Sequence, residues 1–228
     1  PTAVATPMGP MSLLDAPLTG NMPAGDYYVD IPAYPARIDL TVPEGWWYYY
    51  AGATIESSDV HAVLVDDGIE QSSAWGLAFG VVKHVRLDPC DRAAGFMDAS
   101  VTASADAIAT AMATWTDIDL TVADVSIGGY SGKRVEVSPA ATASCEAALF
   151  TSPAGYSFEG PSANEPFDNA VQLTFLDVNG SVLVIWTSDF PGTNAFEVDS
   201  GASPDPQAHA ADQVQLHAIL DSIVITPH

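Results

Sequence analysis

The chain reads as an α+β domain in which an antiparallel β-sheet carries two main helices. Three observations predict this. Strand-like segments recur in hairpin pairs, as in 118–127 followed by 133–137 and 171–175 followed by 182–186. Helical periodicity is confined to two stretches, 104–115 and 208–222. Strands and helices do not alternate strictly, which argues against a doubly wound parallel sheet.

Residues 1–23 contain five prolines and no basic residue. They read as a flexible N-terminal linker ahead of a single domain spanning 24–228. The segment lacks the charged start and apolar centre of a signal peptide, and no Met precedes it. The expectation is a trimmed product of export.

Arg37 to Val42 alternates polar and apolar residues and stops at Pro43-Glu44-Gly45, as a strand ending in a turn does. Trp46-Trp47-Tyr48-Tyr49-Tyr50 is a run of five aromatics, which favours strand. The pleat sends Trp46, Tyr48 and Tyr50 to one face and Trp47 and Tyr49 to the other. Val60 to Val65 is a further strand, closed by Asp66-Asp67-Gly68. In Trp75 to Leu87, bulky Trp75, Leu77, Phe79 and Val81 alternate with Gly76, Ala78 and Gly80. The bare face permits close approach of another backbone, and the length predicts a bend near Lys83.

Ser104 can cap a helix running to Trp115, with Asp106 in the first turn, where the helix dipole favours an anion. Ile108, Ala111, Met112 and Trp115 fall on one stripe. Ile118 to Ile127 returns to strand. Gly128-Gly129-Tyr130-Ser131-Gly132 reads as a turn, with Lys133 to Val137 as the returning strand. Cys145 to Thr151 is a short apolar segment. Val171 to Phe175 alternates, and Asn179-Gly180 suits a tight hairpin turn. Val182 to Trp186 is apolar on both faces, the pattern of a central strand covered on both sides. After a polar loop at 193–207, the final helix presents Leu216, Ile219, Leu220 and Ile223, and Ile223 to Ile225 adds a last edge strand.

Composition narrows the function. Acids outnumber bases 29 to 6, for a net charge of −23. Nucleic acid and anionic lipid are bound by Lys/Arg clusters and are excluded as expected partners. No run of 18 apolar residues exists to span a membrane. The two cysteines, Cys90 and Cys145, lie in no CxxC or Cys/His array. A cysteine pair in an exported protein is most simply a disulfide.

Several stretches carry a family resemblance: Val42-Pro43-Glu44-Gly45-Trp46, Leu87-Asp88-Pro89-Cys90, Val125 to Gly132, Thr174 to Gly180, Phe190-Pro191-Gly192-Thr193 and Leu220-Asp221-Ser222-Ile223. In this order the chain resembles an uncharacterised family of extracytoplasmic domains from actinobacteria and related bacteria. The resemblance covers roughly residues 35 to 226. It implies a lipoprotein or an ectodomain behind a membrane anchor, with cysteines at the positions of Cys90 and Cys145. It implies no activity and no catalytic residues. The order of hairpins and two helices also resembles the PsbP-like α/β sandwich in fold. The loop from Glu197 to Gln207 and the aromatic run after Trp46 depart from the family pattern.

Gly129-Tyr130-Ser131-Gly132 misses the Gly-x-Ser-x-Gly spacing of a nucleophile elbow and joins two strands. His209 and His217 are eight apart on a helix, not the four of a metal pair. No catalytic residue and no metal ligand set is therefore assigned. Asp66-Asp67-Gly68 and Asp88-Pro89-Cys90-Asp91 offer hard oxygens for calcium, although solvated turns explain both, and no other cofactor is expected. Lys83, Arg86 and Arg92 place half of all cations within ten residues, a candidate anion site unless Asp88 and Asp91 pair with them. Trp47 and Tyr49 are the candidate binding platform, for a sugar, a peptide or a partner surface.

These features predict a non-catalytic extracellular domain, tethered at the cell surface, that binds or senses an unidentified ligand. Two rivals stand beside it. One is a secreted hydrolase with an unrecognised site. The other is a structural subunit of a cell-surface assembly.

Overall fold

The structure, a computed structural model, describes residues 9–15, 22–44, 46–50, 62–66, 74–139, 146–152, 157–162, 171–190 and 206–228. Within them the chain is α+β, with antiparallel sheets and two α-helices packed on them.

The central sheet has seven strands. Its spatial order is β4 (Trp46–Tyr50), β5 (Ala62–Asp66), β6 (Ala74–Val81), β13 (Ser181–Phe190), β12 (Val171–Val178), β9 (Tyr130–Pro139) and β8 (Ile118–Ile127). All neighbours in this sheet are antiparallel. The β12–β13 hairpin turns at Asn179-Gly180, with φ of 52° and 79°. Asn and Gly tolerate that left-handed region best. β13 lies mid-sheet and is apolar on both faces, as its sequence predicts. Leu183 and Ile185 join one core while Val182 and Val184 join the other.

The first core lies between the central sheet and a four-stranded sheet. The latter has the order β1 (Met11–Ser12), β2 (Gly25–Val29), β3 (Ala36–Val42) and β14 (Val224–Pro227). Ile38, Leu40 and Val42 of β3 meet Leu77 and Phe79 of β6 in this core. Helix α2 (Pro206–Ser222) closes it with Leu216 and Ile219. Tyr34 donates its hydroxyl hydrogen to the Phe79 carbonyl at 2.7 Å, a buried tie between the two sheets. Burial of each such large side chain stabilises the fold by roughly 1.5–3 kcal/mol.

The second core lies on the opposite face. Val135 and Val137 of β9, with Leu173 and Phe175 of β12, pack against helix α1 (Ala105–Met112) through Ile108 and Met112. A three-stranded sheet, in the order β11 (Ser157–Ser162), β10 (Glu146–Thr151) and β7 (His84–Val85), adds Leu149, Phe150 and Val85. Helix α1 begins where predicted. Ser104 Oγ accepts from the Ala107 N–H, and Asp177 Oδ1 accepts from the Ala105 N–H.

The expected bend near Lys83 is where the chain changes sheet. Val82 N–H donates to the Val182 carbonyl, still beside the central sheet. Lys83 N–H donates to the Thr151 carbonyl of β10. Other expectations need correction. The expected antiparallel strands are divided among three hydrogen-bonded sheets, in two of which β3 and β10 are interior strands whose partners carry weak local patterns. Of the segment 1–23 expected as a linker, residues 9–15, 22 and 23 are described. There β1 pairs in parallel with β2, and Leu13 and Met22 are fully buried. Residues 1–8 and 16–21 lie outside the described residues, as does most of the 193–207 loop. The turn expected over Gly128–Gly132 is shorter: only Gly128 and Gly129 leave the strands, and Gly132 lies within β9. No helix among the described residues is long and apolar enough to cross a membrane.

Candidate functional site

A cleft of about 180 Å³ opens where the C-terminal half of α2 meets the β8–β9 hairpin. Its polar lining is Ser126, Arg134, His217 and Asp221, set among apolar Val125 and Leu220. Each position follows from local rules. Lys133 and Arg134 are adjacent on a strand, so they point to opposite faces. Lys133 faces α1 and pairs with Asp106 at 3.2 Å and Asp124 at 2.7 Å. Arg134 faces α2 instead. His217 and Asp221 are four apart on α2 and so share one side of the helix. Asp221 lies in the last turn of α2, which has no basic residue. The turn Gly128-Gly129 is held against β14: a Cβ on Gly128 would lie 2.9 Å from Ile225 Cγ1.

Arg134 is half-buried, and among the described residues its guanidinium has no hydrogen-bond or ion-pair partner. In contrast, Arg37 is bound to Asp39 and lies 3.9 Å over the Tyr28 ring. The Asp39 hydrogen bond raises the Arg37 pKa above the ordinary arginine value. Lys133 is likewise raised, first by its hydrogen bond to Asp124 and then by that to Asp106. A guanidinium left unpaired in a chain of net charge −23 is the unusual feature of this cleft.

The sequence-predicted candidates fall elsewhere. Lys83 is exposed. Arg86 is half-buried, with Cζ 4.5 Å from the Phe96 ring centre, and Nη1 donates to the Arg92 carbonyl at 3.2 Å. Its Nε is buried without a partner. Asp88 and Asp91 do not neutralise Arg86. Asp88 Oδ1 accepts from the Cys90 and Asp91 N–H groups, and Asp91 Oδ1 accepts from the Ala93 N–H. The acids cap the loop backbone. Trp47 and Tyr49 lie in β4 at an edge of the central sheet, opposite Val65 and Val63 in register, and their side chains lie outside the described residues. Trp46 beside them is buried and donates its indole N–H to Gln215 Oε1 at 2.9 Å.

Ser131 sits in β9 opposite Ser126, strand against strand, so the nucleophile-elbow geometry is absent there. His84 packs against Phe96 with ring centres 5.0 Å apart, and His228 Nε2 lies 3.6 Å from Asp30. Cys145, His61 and Asp67 lie outside the described residues. Cys90 is not a free thiol. The potential ligand atoms of Asp88, Cys90 and Asp117 lie within 4.8 Å of one another. With the sulfur engaged, two carboxylates remain, short of the six to eight oxygens that calcium takes. The site fits calcium poorly.

Sequence reasoning missed Arg134 and Asp221. The signal for Arg134 was the dipeptide Lys133-Arg134, the only adjacent pair of cations in the chain. Its placement under α2 depends on tertiary packing.

No protein-family model and no curated protein matches the chain. Two solved structures are similar over most of their length. One is LpqN of Mycobacterium tuberculosis, involved in cell envelope biogenesis, at 10% identity, TM-score 0.31, covering 90% of this chain and 87% of that one. The other is the Saccharomyces cerevisiae Ran-binding protein Mog1p, at 12% identity, TM-score 0.38, covering 89% of this chain and 96% of that one. At TM-scores below 0.5, neither likeness carries an argument about function.

Proposed function

We propose that this chain is a non-catalytic binding domain, exported and held at the cell surface, that takes a small ligand between α2 and the β8–β9 hairpin. The observation that carries the reading is Arg134: a half-buried guanidinium lining a cleft, with no partner among the described residues. Unpaired cations in partly desolvated clefts gain most from an incoming acceptor. The export reading is supported by the acid-rich, lysine-poor composition and by Cys90, which is not a free thiol. Its partner in the proposal is Cys145, the only other cysteine. The Pro89 carbonyl accepts from the Ala148 N–H at 2.9 Å, which brings the Cys90 loop beside the start of β10, three residues from Cys145.

The test is a thermal-shift panel of small anions, amino acids, sugars and divalent cations, run beside a broad hydrolase screen. A saturable stabilisation that Arg134→Gln abolishes is the expected result. Turnover of any ester, peptide or glycoside by the purified chain would replace the reading with the hydrolase. A stabilising ligand lost on joint substitution of Trp47 and Tyr49, with Arg134→Gln silent, moves the site to the edge strand β4.

A further inference from the structure

We infer that the cleft between α2 and the β8–β9 hairpin is a site for a small zwitterion, with the ligand carboxylate on Arg134 and its ammonium on Asp221. The inference deepens the binding reading above and rests on it. Arg134 and Asp221 line one cleft of about 180 Å³ with opposite charges, yet among the described residues they form no ion pair with each other or with any other side chain. Two opposite charges that face the same space from beyond ion-pair distance are bridged by a ligand carrying both.

Three further features favour that class. First, Asp221 occupies the last turn of α2, with no basic residue there. The helix C-terminus carries partial negative charge, so it adds to the carboxylate and attracts a cation. Second, the protein carries a net charge of −23. Its summed field repels a simple anion, whereas a neutral zwitterion carries no net charge for it to repel. Third, about 180 Å³ far exceeds the ~10–15 Å³ that holds one water, so the cleft has room for a small organic molecule. Val125 and Leu220 give its apolar part a wall, while Ser126 and His217 offer further hydrogen-bonding groups.

The test uses L-alanine as zwitterion, acetate as carboxylate alone and ethylamine as ammonium alone. Backbone amide shifts of 125–128, 134 and 217–221 report on the cleft in the full chain. L-alanine is expected to bind saturably, and roughly ten- to a hundredfold more tightly than either half, the range for one charged hydrogen-bonded contact. Arg134→Gln abolishes the response to L-alanine and acetate. Asp221→Asn reduces L-alanine to the affinity of acetate. Far-UV circular dichroism checks that both variants fold, and they sit on different elements, so one misfolded variant leaves the other as the test. Equal affinity for acetate and L-alanine overturns the zwitterion and leaves the cleft as a binding site. Amides silent to all three probes, while the wider panel still gives an Arg134-dependent ligand, overturn the zwitterion alone. Silence to both overturns this inference together with the binding reading.

Discussion

Replacing Gly132 by alanine strikes at the contact between β9 and β12. A Cβ at Gly132 would lie 1.9 Å from the Phe175 carbonyl oxygen, and the tightest tolerable approach is about 3.0 Å. The obstacle is backbone, so the strands must part by about 1 Å. Gly132 faces Leu176 and the next pair is Lys133–Phe175, so two or three ladder hydrogen bonds are stretched beyond use. At about 1 kcal/mol net for each, and with the fully buried Leu176 displaced as well, the expected loss is about 3 kcal/mol. For a chain of this length that lowers Tm by roughly 6–12 °C. Gly129→Ala is the control. Gly129 has φ of 84° and nothing within 4 Å of a built Cβ, so it loses only the left-handed conformational term of roughly 1–2 kcal/mol. Urea unfolding followed by tryptophan fluorescence gives both values. If Gly132→Ala is no more destabilising than Gly129→Ala, the close approach of β9 and β12 is wrong and so is the register that positions Arg134.

Ser104→Ala should cost about 1 kcal/mol through loss of the cap on the Ala107 N–H, again read by urea unfolding. Asp177→Ala should cost roughly 1–3 kcal/mol, because the N–H of fully buried Ala105 loses its acceptor at 2.8 Å. If Cys90 and Cys145 are bridged, reduction should lower stability by about 4 kcal/mol in the chain-entropy model for a 55-residue separation. Two free thiols by non-reducing mass spectrometry would remove the bridge. The pH dependence near the β8–β9 hairpin has a defined sign. The hydrogen bond and charge of Lys133 hold Asp124 below the usual carboxylate range. Its stabilisation is present above that range and lost as pH falls through the lowered value. The raised Lys133 contributes below the ordinary lysine value and ceases to do so as pH rises through its own. In Lys133→Gln, Asp124 should titrate upward by carboxyl NMR. Asp98, held down by the Ser100 N–H, should not move.

The elements that pattern and turn chemistry define were legible in the sequence. Ser104 begins its helix, Asn179-Gly180 makes its hairpin, and the doubly apolar 182–186 run is central, because each depends on residues within a few positions. The short strands β1, β2 and β11 carry too few alternations to stand out, and only pairing with a neighbour makes them strands. Gly132 shows the same division. Its neighbours suggested a turn, but it serves a close strand contact that exists only once β12 is alongside.

The site divides in the same way. From the sequence by itself came an acidic chain, two helices on antiparallel strands, and no spaced catalytic motif. Proximity along the chain also grouped Lys83, Arg86 and Arg92, yet their loop binds its acids with its own backbone. Tertiary structure alone decided that Arg134, 83 residues before His217, lies under α2 with no ion-pair partner among the described residues. The physical reason is the strand pleat, which turns Lys133 toward acids on one face and leaves Arg134 to whatever the fold brings to the other.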